Sequence, residues 1–238
     1  MTRLSPFAAA ALLLLPLPAL GQSHDGHHVM GGDIQSHAIL EQFEARMGAS
    51  PNAFRWHGQA WIGTDVHKLW LRSEGAVLGN GTIEDGRQEL FYSRAISTYF
   101  DLQAGWRIDL DSGTTRNWAA LGVRGLLPWF IETEATVYAS DAGHYAARLA
   151  LSHDIRLTRR LVLQPQAEAT VYSKADPGRH LGAGLSGVDA GLRLRYEWTP
   201  QFAPYVGVAY GARIGQSARM ADEPATQIRF VFGVRSWF

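Results

Sequence analysis

Apolar and polar residues alternate one by one along several stretches of the 238-residue chain. The alternation is clearest at 100–110, 131–138, 188–198 and 227–235. Successive side chains of a β-strand point to opposite faces, so a period of two predicts strands with one apolar and one polar face. A helix of the same sequence would carry charge around its whole surface, and the pattern therefore argues against amphipathic helices.

The full pattern predicts twelve strands, of which the first, "HAILEQFEARM", also has helical character. The predicted strands are 37–48, 53–63, 67–78, 87–97, 99–110, 115–126, 130–141, 144–156, 160–174, 187–198, 202–213 and 226–238. We expect short turns near Ser97, Pro128, Thr158 and Pro200. Longer loops are expected at 79–86, 175–186 and 214–225. Short turns at one rim and long loops at the other are typical of outer-membrane barrels.

A soluble barrel also alternates, so three further features favour a membrane. The predicted strands have about 10 to 13 residues, enough to cross a bilayer when tilted. Their apolar faces are rich in Ala and Gly, and their polar faces carry charges that need water or mutual pairing. We therefore predict an all-β fold, a closed antiparallel transmembrane β-barrel of about twelve strands at 37–238, with ten or fourteen as alternatives.

The last segment, "QIRFVFGVRSWF", ends on an aromatic residue. We expect Phe238 to continue the lipid-facing stripe of a closing strand and to lie in the interfacial aromatic belt. The stripe contains Ile228, Phe230, Phe232 and Val234. An ordinary buried last strand is the alternative.

The N-terminal segment 1–21 is typical of an export signal. Arg3 precedes an apolar run, and Ala19-Leu20-Gly21 has the small-x-small pattern of a cleavage site. A membrane anchor is the alternative, but the run is too short for about 30 Å of hydrocarbon and contains prolines. We expect a cleaved precursor, a short disordered periplasmic tail at 22–36, and a location in the cell outer membrane.

Composition excludes some classes of function. Lys plus Arg equals Asp plus Glu at 22 each, so no basic excess is available for nucleic acid. The chain has no cysteine, which excludes disulfides and thiolate metal ligands. The letters G-x-G-x-x-G occur at 182–187 but precede a predicted strand, so a nucleotide site is not expected. No catalytic motif stands out, and we predict that the protein is not an enzyme.

Several long segments resemble the copper-resistance protein B family of bacterial outer membranes. They are "HKLWLRSEG" at 67–75, "YFDLQAGWR" at 99–107, "WAALGVRGLLPWFIETEATVY" at 118–138, "LTRRLVLQPQAEATVYSK" at 157–174 and "GAGLSGVDAGLRLRYEWTPQFAPYVGV" at 182–208. The resemblance implies a role in copper tolerance, with copper ions bound as cargo. It also implies outer-membrane lipids and a periplasmic multicopper oxidase as partners. Many members carry a long Met/His-rich segment before the barrel, whereas the tail here is short.

The tail provides the first candidate copper ligands, His24, His27, His28 and Met30. Imidazole suits Cu(II) and a thioether suits Cu(I), so the set can hold either oxidation state. Cleavage after Gly21 would also place His24 third, where the free amine, two amide nitrogens and the imidazole can surround Cu(II) in a plane. A polar tail without bound metal is the alternative interpretation.

His57 is the candidate metal ligand inside the barrel, because it shares a face with Arg55 and Gln59. A hydrogen-bonded lumen histidine is the alternative. The other predicted lumen charges nearly balance and predict a salt-bridge network more than a selective filter. They are Lys68, Arg72, Glu74, Asp101, Arg107, Glu132, Glu134, Arg148, Asp154, Glu168, Arg193, Arg195 and Glu197.

Two classes of function remain open from the sequence. The first is an outer-membrane copper-binding barrel that contributes to copper resistance by sequestering or exporting periplasmic copper. The second is a general porin or structural barrel without a specific metal role.

Overall fold

A computed structural model describes residues 33–110, 115–179, 181–220 and 224–238, and almost all of them lie in one antiparallel sheet. The strands are β1 (Gln35–Met47), β2 (Ala53–Gly63), β3 (His67–Leu78), β4 (Ile83–Ala95), β5 (Phe100–Asp109), β6 (Arg116–Leu127), β7 (Ile131–Ser140), β8 (Tyr145–Ser152), β9 (Ile155–Arg156), β10 (Leu161–Tyr172), β11 (Gly184–Tyr196), β12 (Phe202–Arg213) and β13 (Thr226–Trp237). Because β8 and the two-residue β9 both pair with β10, they occupy one position, and the barrel has twelve.

The sheet closes because the first strand pairs with the last. The antiparallel register of β1 and β13 runs from Ile39 opposite Trp237 to Met47 opposite Phe230. The beginning of β1 and the end of β13 therefore lie at one rim, called here the terminal rim. The opposite rim, which contains the described residues of the connections after β10 and β12, is the loop rim. The predicted twelve-stranded barrel is confirmed, including the strand character of its first segment.

Connection lengths follow the predicted asymmetry with one error. The terminal rim has only short turns, and the loop rim has the two long loops, the second of which contains the short helix α1 (Gln216–Met220). The long loop predicted at 79–86 is wrong, since β4 already begins at Ile83, which pairs with Val77. The register between β3 and β4 shifts between Glu74 and Ala76, and this irregularity hides the hairpin from a strict period of two.

The outer surface of the barrel is apolar. Phe230 and Phe232 on the closing strand are 59% and 50% exposed, and the terminal Phe238 is 75% exposed. Leu90, Leu121 and other large apolar side chains continue this surface around the barrel. Such a surface is stable only against lipid, which is consistent with the outer membrane as the location of this barrel. Within the described residues, no helix is long and apolar enough to span a membrane.

Aromatic side chains project at the terminal rim. Trp129 and Phe130 form the turn between β6 and β7 with backbone φ of 64° and 60°, and both are strongly exposed. Trp198 and Tyr99 are exposed in two other turns of the same rim. Amphipathic rings at this level match the interfacial belt of membrane proteins.

The interior contains an aromatic cluster in addition to charges. Trp118, Tyr138 and Tyr172 lie in contact on inward faces, with Trp118 only 1% exposed. Phe91 is completely buried opposite Gly105. A Cβ on that glycine would lie 2.7 Å from Phe91 Cδ1, so the absence of a side chain makes room for the ring.

Candidate functional site

A bulge in β1 determines which side chains enter the lumen near its middle. The register with both neighbouring strands shifts just after Leu40, so the consecutive residues Glu41 and Gln42 both line the lumen cavity. Arg235 Nε donates to Glu41 at 2.9 Å. Gln42 Nε2 reaches across to Gln166 Oε1 on β10 at 3.0 Å. The extra residue thus supplies two polar side chains where strict alternation would supply one.

The largest group of ion pairs fills the lumen between β3, β4, β7, β8 and β10. At its centre, Arg148 Nε lies 2.6 Å from Glu168 Oε1, and Arg148 Nη2 lies 3.4 Å from Glu74 Oε2. Arg87 contacts Glu74 at 2.6 Å. Other links between these walls are Arg72–Glu134, Arg72–Glu89 and Tyr138–Glu89. The predicted salt-bridge network is therefore present, and it joins walls that are not adjacent in the sheet.

A second buried group connects β1 with β11 and β12. Arg193 donates through Nε and Nη2 to the two carboxylate oxygens of Glu44, at 2.9 and 2.8 Å. The Tyr205 hydroxyl donates to Glu44 at 2.9 Å, and Arg46 pairs with the same carboxylate. Paired geometry of this kind offsets the cost of removing the charges from water.

Near the loop rim, Asp109 at the end of β5 accepts three donors. Arg107 Nε, Trp118 Nε1 and Arg179 Nη1 lie 2.6, 2.7 and 2.7 Å from its oxygens. Arg179 belongs to the loop that follows β10, so this carboxylate fixes part of that loop at the mouth of the barrel.

The two long loops are joined to the barrel and to each other. Arg116 at the start of β6 pairs with Asp176 in the loop 173–183. Farther along that loop, the amide of Gly182 donates to Ser217 Oγ of α1 at 2.7 Å. Leu181 packs against the aromatic cluster beneath. The loop rim is therefore covered on the side of β5 to β10.

A cavity of about 350 Å³ lies in the lumen and is lined by residues of β1 to β3, β6 to β8 and β10 to β13. Its lining includes His57, and the carboxylates of Glu132, Asp154 and Asp189 are exposed to it. Arg55 and further lumen arginines also line it. The uncharged side chains of Gln42 and Gln166 are hydrogen-bonded to each other within this cavity and connect its walls.

The predicted copper ligands belong to two parts of the chain, the N-terminal tail and the lumen. His24, His27, His28 and Met30 lie outside the described residues. His57 lies inside the lumen as predicted, opposite Gln42 on one side and Glu74 on the other. Both interpretations of His57, a metal ligand and a hydrogen-bonded lumen histidine, stay predictions. Across the residues that the structure describes there is no cluster of three or more His, Asp or Glu side chains arranged for a metal.

Sequence reasoning missed Glu41, Gln42 and Asp189 as lumen residues. It also missed the buried ion-pair partners Glu44, Arg87, Glu89 and Asp109. The signal for Glu41 and Gln42 was the occurrence of this polar pair inside an alternating segment, which a bulge explains and an ideal strand does not. His37 was also missed, and its ring lies 5.7 Å from that of Trp237 at the terminal rim.

Comparison with known proteins agrees with the barrel. Two solved structures share its fold, at identities too low to indicate more. They are a NanC porin (TM-score 0.56, 11% identity, 85% of this chain and 99% of that chain) and a KdgM porin (TM-score 0.51, 14% identity, 85% and 99%).

Sequence relatives are much closer. "Copper resistance protein B homolog" of Pseudomonas syringae pv. tomato is 42% identical over 92% of this chain and 76% of its own length. "Copper resistance protein B" of Escherichia coli is 38% identical over 90% and 73%. The family profile described as Copper resistance protein B precursor (CopB) matches residues 34–238. This chain therefore belongs to the copper resistance protein B family.

Proposed function

We propose that this barrel binds periplasmic copper and contributes to copper resistance by sequestering or exporting the ion. The observation that carries the proposal is the family match over 34–238 together with more than 70% of the length of two copper-resistance relatives. Copper is cargo in this proposal and not a resident cofactor. The family and the porin-like barrel fit a role without catalysis.

The proposed route of copper begins at the tail and continues in the lumen. His24, His27, His28 and Met30 supply imidazole and thioether ligands for Cu(II) and Cu(I). Because β1 starts at the terminal rim, the tail is attached there. We assign this rim to the periplasm, and His57 to the lumen step. A periplasmic multicopper oxidase is the proposed protein partner.

The lumen favours this proposal over a general diffusion pore. A porin keeps a water-filled channel through its centre. Here Arg148–Glu74, Arg193–Glu44 and Gln42–Gln166 join separate walls across the interior. Small solutes of varied chemistry would meet these bridges, whereas a single ion can be passed between side chains.

Deletion and complementation test the proposal. Loss of the gene should lower the copper concentration that stops growth, with no matching change for zinc or for small-solute uptake. A chain with His24, His27, His28 and Met30 all changed to Ala should restore tolerance only in part. A matched control with His144→Ala, which alters a histidine in a loop-rim turn, should restore it fully.

Two results would contradict the proposal. One is a deletion strain with unchanged copper tolerance. The other is a broad change in uptake of unrelated small solutes, which would favour the general porin instead.

A further inference from the structure

The side-chain oxygen of Gln42 accepts no hydrogen bond from the described residues. Its side chain is only 7% exposed, and its Nε2 donates to Gln166 at 3.0 Å. Its Oε1 is buried and has no hydrogen-bond partner among the described residues. Leaving a buried amide oxygen without a hydrogen-bond partner destabilises the fold. An orphan acceptor at the wall of a cavity therefore points to a ligand that donates or coordinates there.

His57 lies directly opposite Gln42 on the next strand. Opposed residues on one face have Cβ atoms about 4.5–5.5 Å apart. Both residues line the same cavity. A nitrogen ligand and an oxygen ligand thus face the cavity side by side.

The charges around this pair nearly cancel, so they would hold a cation only weakly. Glu74 lies opposite His57 on β3, but its carboxylate already contacts Arg87 and Arg148. Glu41 precedes Gln42 and is bound to Arg235. Along the cavity, the exposed carboxylates are Glu132, Asp154 and Asp189, and the arginines are Arg46, Arg55, Arg124, Arg148 and Arg235. With Arg72, Arg87 and Arg195, which pair with lining carboxylates, eight arginines stand against the seven lining carboxylates, so the charges nearly balance.

We propose that Gln42 Oε1 and the His57 imidazole form a Cu(II) site halfway along the lumen cavity, with water completing the coordination. This inference rests on the proposed function and adds the oxidation state of the lumen step. An imidazole and an amide oxygen suit Cu(II), whereas Cu(I) prefers thioethers, and no methionine lines this cavity. Because only two protein ligands hold the ion, the site is suited to the passage of copper and not to its storage.

The test isolates the lumen from the tail in the full-length folded chain. Changing His24, His27 and His28 to Ala gives a tail-silent protein, which is titrated with Cu(II) in detergent. Electron spin-echo measurements should detect one coordinated imidazole. Adding His57→Gln should abolish that signal, and adding Gln42→Leu should weaken binding by at least ~10-fold, since a ligand is lost.

Matched controls separate a ligand from a structural role. Gln166→Leu breaks the same hydrogen bond but leaves Gln42 Oε1 in place, so the imidazole signal should remain. His153→Gln removes a histidine whose ring contacts Phe130 O at the terminal rim, at 3.2 Å, and should also leave the signal intact. Heat-modifiable migration on gels checks that each barrel is folded.

The inference is wrong if tail-silent protein and its folded His57→Gln form bind Cu(II) alike. It is also wrong if Gln166→Leu weakens Cu(II) binding as much as Gln42→Leu does. Either result leaves the proposed function standing as long as gene deletion sensitises cells to copper. Unchanged tolerance after deletion overturns the proposed function, whatever the lumen binds.

Discussion

Individual carboxylates in this lumen hold several donors at once, and Glu44 is the clearest case. It is fully buried and accepts two bonds from Arg193 and one from Tyr205. Its stabilising effect comes from satisfying those donors, because an unpaired buried arginine is far less stable than an exposed one.

Glu44→Ala should therefore lower the free energy of unfolding by about 3–5 kcal/mol, because Arg193 remains buried without its partner. Urea unfolding of the barrel in lipid vesicles measures this. Arg156→Ala is the control, since the exposed Arg156 pairs with Glu197 at the terminal rim and such a pair is worth about 0–1 kcal/mol. Equal losses from the two variants would contradict the assigned role of Glu44.

The close packing around Gly105 should also contribute to the stability of the barrel. An added Cβ would clash with the backbone oxygen of Leu90 and would lie 2.7 Å from Phe91 Cδ1, so Gly105→Ala should destabilise the barrel by about 1–3 kcal/mol through overpacking. At Gly187 the nearest neighbour of a Cβ is Ala212 O at 3.8 Å, and Gly187→Ala should be tolerated. A thermal shift of the same size for both would show that packing around Phe91 is not tight.

The alternation of apolar and polar residues correctly assigned many charged side chains to the lumen. It did not predict that Gln42 faces the lumen or that it bonds across it. A period of two assigns each residue to a face and so placed Arg148, Glu168 and Arg193 correctly inside. It fails after a bulge, where the phase changes by one residue. Hydrogen-bond partners across the lumen, such as Gln166 for Gln42, depend on closure of the whole barrel and have no local sequence signal.

At the scale of elements, strands were predicted better than connections. Where a hairpin turn is short, the alternating pattern stops at the turn and so indicates where each strand ends. The connection at 79–86 was predicted too long because Gly79, Gly81 and Gly86 resemble loop residues, although β4 already begins at Ile83. The contacts between the two long loops depend on α1. This helix is too short for a periodic sequence pattern to predict it.

The loop 173–183 should become more accessible when Asp176→Ala removes its pairing with Arg116. Trypsin should then cut faster after Lys174 or Arg179, because fewer contacts hold the loop against the barrel. Asp141→Ala, in an exposed turn of the same rim, should leave the cleavage rate unchanged. Identical rates for the wild type and Asp176→Ala would contradict the anchoring of this loop.

At the scale of the whole molecule, closure of the barrel creates the functional surface. The bridges from Arg148, Arg193 and Gln42 cross the lumen between distant strands, and side chains fill much of it. We therefore expect no steady open current from the folded protein in a planar bilayer. Stable ohmic openings in the absence of copper would contradict a lumen crossed by these bridges.

The central claim is that this barrel binds copper through its own side chains. The direct measurement is the copper content of the folded, full-length protein after equilibration with Cu(II) and dialysis, determined by mass spectrometry of the metal. We predict at least one copper per wild-type chain. A variant with His24, His27, His28, Met30 and His57 all replaced by Ala should retain almost none. Wild-type protein that holds no more copper than this variant would contradict the account.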